Sequence, residues 1–185
     1  MKSHSKKKKI YLVFSYTGTA FSRLLRVITR SQYVHIGLSF DTNLENVYSF
    51  GRKEPSKMFP AGLVKENLKE VHKIFGNTES QIYEMKINDK NYKKLKKILK
   101  EHLKEQDKYS YDILGLPFIY FKKKYRRKYH RVCSQFVGYL LQESGVHDFN
   151  IDYSLITLNH FYHIENKELI YQGKLTKYLI EKDDL

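Results

Sequence analysis

Cys133, in 131-RVCSQFVGYLL-141, and His35, in 33-YVHIGLSF-40, are the residues of this chain whose types could together do covalent chemistry. A thiol that opens a helix lies against unsatisfied N–H groups and the positive end of the helix dipole, and both favour the thiolate. An imidazole beside it would strengthen that preference and later protonate a leaving group. These are the parts of a thiol hydrolase, with Cys133 as nucleophile, His35 as base and acid, and the Cys133 backbone N–H as one oxyanion donor. The other reading is a packed cysteine and a packed strand histidine, since free cysteine is among the most buried residue types. Periodicity alone does not bring the two residues together, so both readings stand at this point.

The elements that must position them can be read from periodicity and turn chemistry. Residues 10–16 are rich in Ile, Tyr, Val and Phe and predict a strand. Ser22 or Thr19 can cap a helix over 23-RLLRVITR-30, where Leu24, Leu25 and Ile28 share a face. In 33-YVHIGLSF-40, Val34, Ile36, Leu38 and Phe40 alternate with Tyr33, His35, Gly37 and Ser39, so the histidine shares its face with small residues. A loop at 41–46 returns the chain as a strand over 47-VYSFGR-52. Residues 53–80 contain Pro55, Pro60, Gly62 and Gly76 and read as irregular, with a short strand or helix near Val71. A strand over 81-QIYEMKI-87 leads, through Asn88 or Asp89, to a helix whose Tyr92, Leu95, Ile98, Leu99, His102 and Leu103 lie at helical spacing. Residues 109–130 are aromatic and basic without a clear period. A helix over 132–144 ends before Gly145, another lies near 154–163, and a strand at 168–173 closes the chain. Strands in runs with helices gathered between them predict an α+β domain over residues 10–185, preceded by a disordered, lysine-rich tail at 1–9.

The order of these pieces resembles the circularly permuted NlpC-type papain-like cysteine hydrolases, a wider group that includes lecithin:retinol acyltransferase-like proteins. The likeness rests on 35-HIG-37 in an early strand, 109-YSYD-112, 133-CSQFV-137 at the start of a late helix, and the closing 155-LITLNHF-161 and 169-LIYQGKL-175. It spans most of residues 10–175. The resemblance implies a papain-like fold, an antiparallel sheet packed against helices, and hydrolysis or acyl transfer at an amide bond by Cys133 and His35. Such proteins place a third polar residue on the strand after the histidine. Here that position falls in 47-VYSFGR-52, where Ser49 is the candidate, with water, a backbone carbonyl or Glu84 as the alternatives. The resemblance also implies that Tyr111 lines the substrate cleft and aids the oxyanion, whereas a half-buried packing aromatic is the plainer reading. Tyr16 and Ser134 complete the substrate-binding candidates, and Asp112 reads equally as a helix cap.

Composition narrows the partners. With 34 Lys and Arg against 20 Asp and Glu in 185 residues, the net charge is +14, which attracts anions of every kind. The run 121-FKKKYRRKYHR-131 interleaves aromatic and basic side chains just before Cys133. It suits an anionic substrate, an anionic membrane surface or nucleic acid, or is a solvated loop. A single cysteine excludes an internal disulfide and a Cys-rich zinc site, and the 8 histidines show no spacing such as H-E-x-x-H, so neither a metal nor a cofactor is expected. No apolar run approaches the ~20 residues of a membrane span, and the N-terminal IYLVF falls short of the ~7–15 residues of a signal-peptide core, so the expected location is the cytoplasm. The expected substrate is a peptide-type amide, of the kind found in cell-wall peptides. A lipid acyl group handled by the same residues is the first alternative, which a hydrophobic groove beside Cys133 would favour. A catalytically silent basic module that binds nucleic acid is the second.

Overall fold

The run 10-IYLVF-14 has no polar side, so a strand made from it needs cover on both faces. In the computed structural model, which describes residues 7–183, this run lies in β1 (Lys8–Tyr16), inside a six-stranded sheet. Each of its five residues is 5% exposed or less. Pairing is antiparallel throughout, in the order β4-β3-β2-β1-β5-β8, with β2 at His35–Ser39, β3 at Val47–Arg52, β4 at Ala61–Glu66, β5 at Glu79–Ile87 and β8 at Lys167–Lys174. The protein is thus α+β, with an antiparallel sheet packed against helices.

One sheet face carries Ile10, Leu12, Phe14, Ile36, Leu38, Phe50 and Leu63. It is covered by α3 (Asp89–Lys104) through Leu95 and Leu99, by α5 (Cys133–Ser144) through Phe136, Val137, Leu140 and Leu141, and by α6 (Leu158–Tyr162) through Phe161. On the other face, Tyr11, Val13, Val47 and Ile82 pack against Leu68 of α2 (Leu68–Ile74) and against Leu175, Tyr178 and Leu179 of α7 (Leu175–Asp183). Caps set several boundaries. Thr19 accepts from the Ser22 N–H at 3.3 Å and starts α1 (Ala20–Thr29), Asn88 accepts from the Asn91 N–H at 2.8 Å and starts α3, and Gly145 ends α5 with φ of 74°.

Three expectations are corrected here. Residues 53–80 are more ordered than their prolines suggest: the short element expected near Val71 is α2, and β4 precedes it. The chain does not close on a strand, because α7 follows β8 directly and covers the second core. The basic tail ends earlier than residue 9. Lys8 and Lys9 belong to β1, and Lys9 Nζ lies 2.9 Å from Glu84 Oε2. Residues 1–6 of that tail lie outside the described residues. No helix among the described residues is long and apolar enough to cross a membrane.

The 109–131 segment, which lacked a sequence period, is held by short pieces: β6 (Ser110–Tyr111), α4 (Leu116–Tyr120) and β7 (His130–Arg131). β6 and β7 pair in parallel, Tyr111 opposite Arg131. The arginines here are structural. Arg127 Nη1 lies 3.2 Å from the buried Asp112 carboxylate, which also accepts from the Gly115 N–H at 3.1 Å. Asp112 therefore anchors a turn just ahead of α4. Arg131 lies 4.2 Å from the Tyr139 ring and donates to His102 Nε2, while His102 Nδ1 donates to the Ile98 carbonyl. Burial, and then the Arg131 charge, lower the pKa of His102, consistent with that neutral tautomer.

Arg126 pairs with Asp152 through two guanidinium nitrogens, Nε to Oδ1 and Nη2 to Oδ2. Burial pushes the Asp152 carboxyl up, but hydrogen bonds from Arg126 and Ser154 outweigh it and bring its pKa to about 2. A carboxylate with a depressed native pKa stabilises the fold above its unfolded value, and that contribution is lost as pH falls through the native one. Because Arg126 is exposed, solvent screens the pair and the contribution is only about 1 kcal/mol. Asp152→Asn is expected to lower stability by that amount at pH 7. The gap to wild type should close as pH falls from about 4 to about 2, as urea unfolding at stepped pH will read.

Candidate active site

β2 begins at His35, opposite Ser15 of β1, so the imidazole sits at the end of the sheet rather than in its middle. From there it reaches across two neighbouring strands. Gly51 of β3 lies beneath this contact: a Cβ built on it would lie 3.5 Å from His35 Cε1 and 3.4 Å from Glu66 Oε1, in ordinary contact with both. Beyond Gly51, at the end of β4, Glu66 Oε1 lies 2.6 Å from His35 Nε2. The third polar residue is thus a carboxylate two strands away from the histidine.

Ser49, the residue expected in that role, is present but secondary. Its hydroxyl donates to the Ile36 carbonyl at 2.8 Å, and its oxygen lies 3.3 Å from the same His35 Nε2. With its proton committed, Ser49 can only accept from the imidazole, in second place behind a shorter bond to a charged group. Glu84 is elsewhere, bound to Lys9 and near Tyr11. Glu66 was missed because its segment showed too few alternating residues to predict β4.

Cys133 is the first residue of α5, at the N-terminus as expected. Gln135 accepts from the Val132 N–H at 3.0 Å and anchors its own amide on the Ser154 carbonyl at 2.8 Å, which fixes the helix start. The Cys133 thiol adjoins both His35 and Tyr111 and raises the proton affinity of each. Since Nε2 of His35 is held by Glu66, Nδ1 is the ring nitrogen left for the thiol. Tyr111 arrives by the parallel pairing of Tyr111 with Arg131, two residues before Cys133.

The electrostatics agree with this geometry. Burial alone would pull the His35 pKa down, but the Glu66 carboxylate and the hydrogen bonds to Cys133 and Glu66 overrule it and hold it well above its ordinary value. Burial, then the adjoining Cys133, raise the Tyr111 phenol well above its ordinary value, so its hydroxyl keeps its proton as a donor. By linkage, the His35 contribution to stability is full below the unfolded value of about 6.5 and fades as pH rises through the raised native one.

The remaining candidates divide. Ser134 lies at the wall of the site, but it is 5% exposed and its hydroxyl is given to the Ile156 carbonyl at 2.8 Å, so it positions the 153–158 segment rather than offering a donor to a ligand. Tyr16 is not among the residues that line the site; it packs against the main core, and the Arg26 guanidinium lies over its ring at 4.8 Å. Among the described residues no cluster of His, Cys, Asp and Glu could hold a metal ion.

No protein-family model, no curated protein and no solved structure matches the chain. What the site can do therefore follows from its own geometry. Two cavities meet at it. One, of about 190 Å³, is walled by Cys133 together with Leu25, Val34, Leu116, Ile119 and Leu158. The other, of about 200 Å³, carries His35 and Glu66 beside Phe21, Phe59 and Arg52. Leu25, Val34 and Tyr111 border both. A thiol only 3% exposed is thus reached through an apolar chamber.

Proposed function

We propose that this protein is a thiol-dependent acyl hydrolase or acyltransferase, built on a papain-like, permuted NlpC-type arrangement, that acts on amide or ester carbonyls bearing an apolar acyl group. The observation that carries this reading is the Glu66–His35 hydrogen bond with Cys133 adjoining the imidazole, at the wall of a largely apolar cavity. The Cys133 thiolate attacks the carbonyl carbon, a C–S bond forms, and the imidazolium of His35 gives its proton to the departing amine or alcohol as the C–N or C–O bond breaks. Water, or another acceptor deprotonated by His35, then attacks the thioester, and the acyl product leaves as the thiol reforms. Glu66 orients the imidazole and supports its charge, while Tyr111 and the first N–H groups of α5 face the developing oxyanion.

Leu, Ile and Val make up much of the chamber wall, with Thr29, Ser31, Thr157 and Asn159 among them, and a largely apolar wall suits an acyl chain better than a peptide backbone, each of whose amides needs a partner. This weights the lipid-type reading above a cell-wall-type peptide, and the cytoplasm belongs to the same proposal. The test is acylation by p-nitrophenyl esters of rising chain length, read by intact mass. The expected result is one acyl group on Cys133, a rate that climbs with chain length, and no adduct on Cys133→Ala. A rate that ignores chain length, alongside turnover of an alanyl p-nitroanilide, would restore the peptide reading. An equal release of nitrophenol by Cys133→Ala would overturn the enzyme.

A further inference from the structure

The walls of the Cys133 chamber have outer sides, and these are unusual. α4 and its flanks expose Leu114, Tyr120 and Phe121 at 65%, 62% and 67%. Across the chamber, α1 exposes Leu24 and Val27 at 55% and 76%, interleaved with the exposed Arg23, Arg26 and Arg30. Lys122, Lys123 and Lys124 follow Phe121 directly, all exposed, and none forms an ion pair with a described residue. That turn is fixed in place by the Phe118–Tyr125 stack, with ring centroids 4.2 Å apart, and by the Lys123 N–H bonded to the Phe118 carbonyl. Both walls come from acid-free sequence, since residues 1–40 and 113–142 contain no Asp or Glu.

We infer that this rim is a docking surface for an anionic lipid bilayer, with α1 and α4 set into the headgroup region so that the mouth of the Cys133 chamber faces the membrane. Aliphatic and aromatic side chains at the centre with cations around them match the chemistry of such a surface: the apolar groups enter the acyl boundary and the ammonium and guanidinium groups meet lipid phosphates. Nucleic acid fits less well. Leu114, Leu24 and Val27 gain nothing from bases, and Phe118 and Tyr125 are already stacked on each other. A second copy of the chain would set one cationic rim against another. Delivery of an acyl chain from the bilayer to Cys133 rests on the acyl reading above; the binding itself does not.

The experiment is flotation of the full chain with vesicles of phosphatidylcholine and phosphatidylglycerol in equal parts, against phosphatidylcholine alone, in low and high salt. Wild type and Cys133→Ala are expected to float equally with the anionic vesicles and to be released by salt. Lys122, Lys123 and Lys124 changed together to glutamine should weaken binding roughly 100-fold. Leu114→Ser with Phe121→Ser should weaken it roughly tenfold. None of these side chains lines the chamber, so acylation by a soluble short-chain ester should persist in all of these rim variants. Equal flotation with neutral vesicles, or binding that survives all of these changes, overturns the docking surface. So does tight binding to a single-stranded oligonucleotide with no flotation. If flotation occurs but no ester acylates Cys133, the docking surface stands and the acyl reading fails.

Discussion

Glu66→Gln is expected to lower acyl turnover by roughly 10²–10⁴-fold, close to the loss from His35→Ala, while Ser49→Ala costs less than about tenfold. The ranking follows from who holds His35 Nε2. Glu66 does so at 2.6 Å with a full charge; Ser49 does so at 3.3 Å with a hydroxyl already committed to the Ile36 carbonyl. Without the carboxylate, burial is the strongest remaining influence on the imidazole and drives it neutral, so the thiolate loses its counter-ion. The sign can be read without a substrate. A raised histidine pKa means that the imidazolium persists as pH climbs through neutrality and disappears only above the raised value. The pH profile of Cys133 alkylation by iodoacetamide should therefore move to higher pH in Glu66→Gln and in His35→Ala. If Ser49→Ala moves it as far as Glu66→Gln, the serine is the orienting group and the carboxylate is not.

The second large effect is on stability. Gly62→Ala should cost about 2–3 kcal/mol, because overpacking against fixed atoms is relieved only by moving backbone. A Cβ at Gly62 would lie 2.2 Å from the Tyr109 carbonyl oxygen and 3.1 Å from its carbon, neither of which can rotate away. Gly51→Ala meets only ordinary contacts, the nearest at 3.4 Å, and should cost far less. Gly18→Ala is the complementary control, with open space around it but φ of 70°, a conformational penalty of about 1 kcal/mol. Urea unfolding of the three variants should rank them Gly62, Gly18, Gly51. Gly62→Ala should also slow alkylation of Cys133, because it separates β4, which carries Glu66, from the 109–111 segment, which carries Tyr111. A Gly62→Ala variant as stable as wild type would mean that the two segments do not touch.

What could be read in the sequence, and what could not, follows from range. β1, β2, β3, β5, α3 and α5 declare themselves through local pattern and caps, and these elements suffice to place Cys133 at a helix start and His35 in an early strand. Glu66 was invisible for two reasons. Residues 61-AGLVKE-66 follow two prolines and offer too short an alternation to predict a strand. The orienting group also lies not on the neighbouring strand but on the next one, and the contact passes over Gly51 between them. Ser134 and Tyr16 show the converse limit of residue type. Their residue types suit a site, but one hydroxyl is taken by the Ile156 carbonyl and one ring by Arg26. α7 was hidden because the chain leaves β8 straight into it, and Leu175, Tyr178 and Leu179 acquire meaning only against the second core.

β4 is the outermost strand of its side of the sheet, laddered to β3 alone. Strands so placed exchange their amide protons through local openings that cost less than global unfolding. Glu66 is the last residue of that strand, so an opening that frays β4 removes the carboxylate from His35 while the rest of the sheet stays folded. The machinery and the scaffold therefore have separate thermal limits: heat capacity will report one cooperative transition, and reactivity of the thiol will fall off before it. Amide protection along 61–66, compared with that along 10–14, measures how wide that interval is.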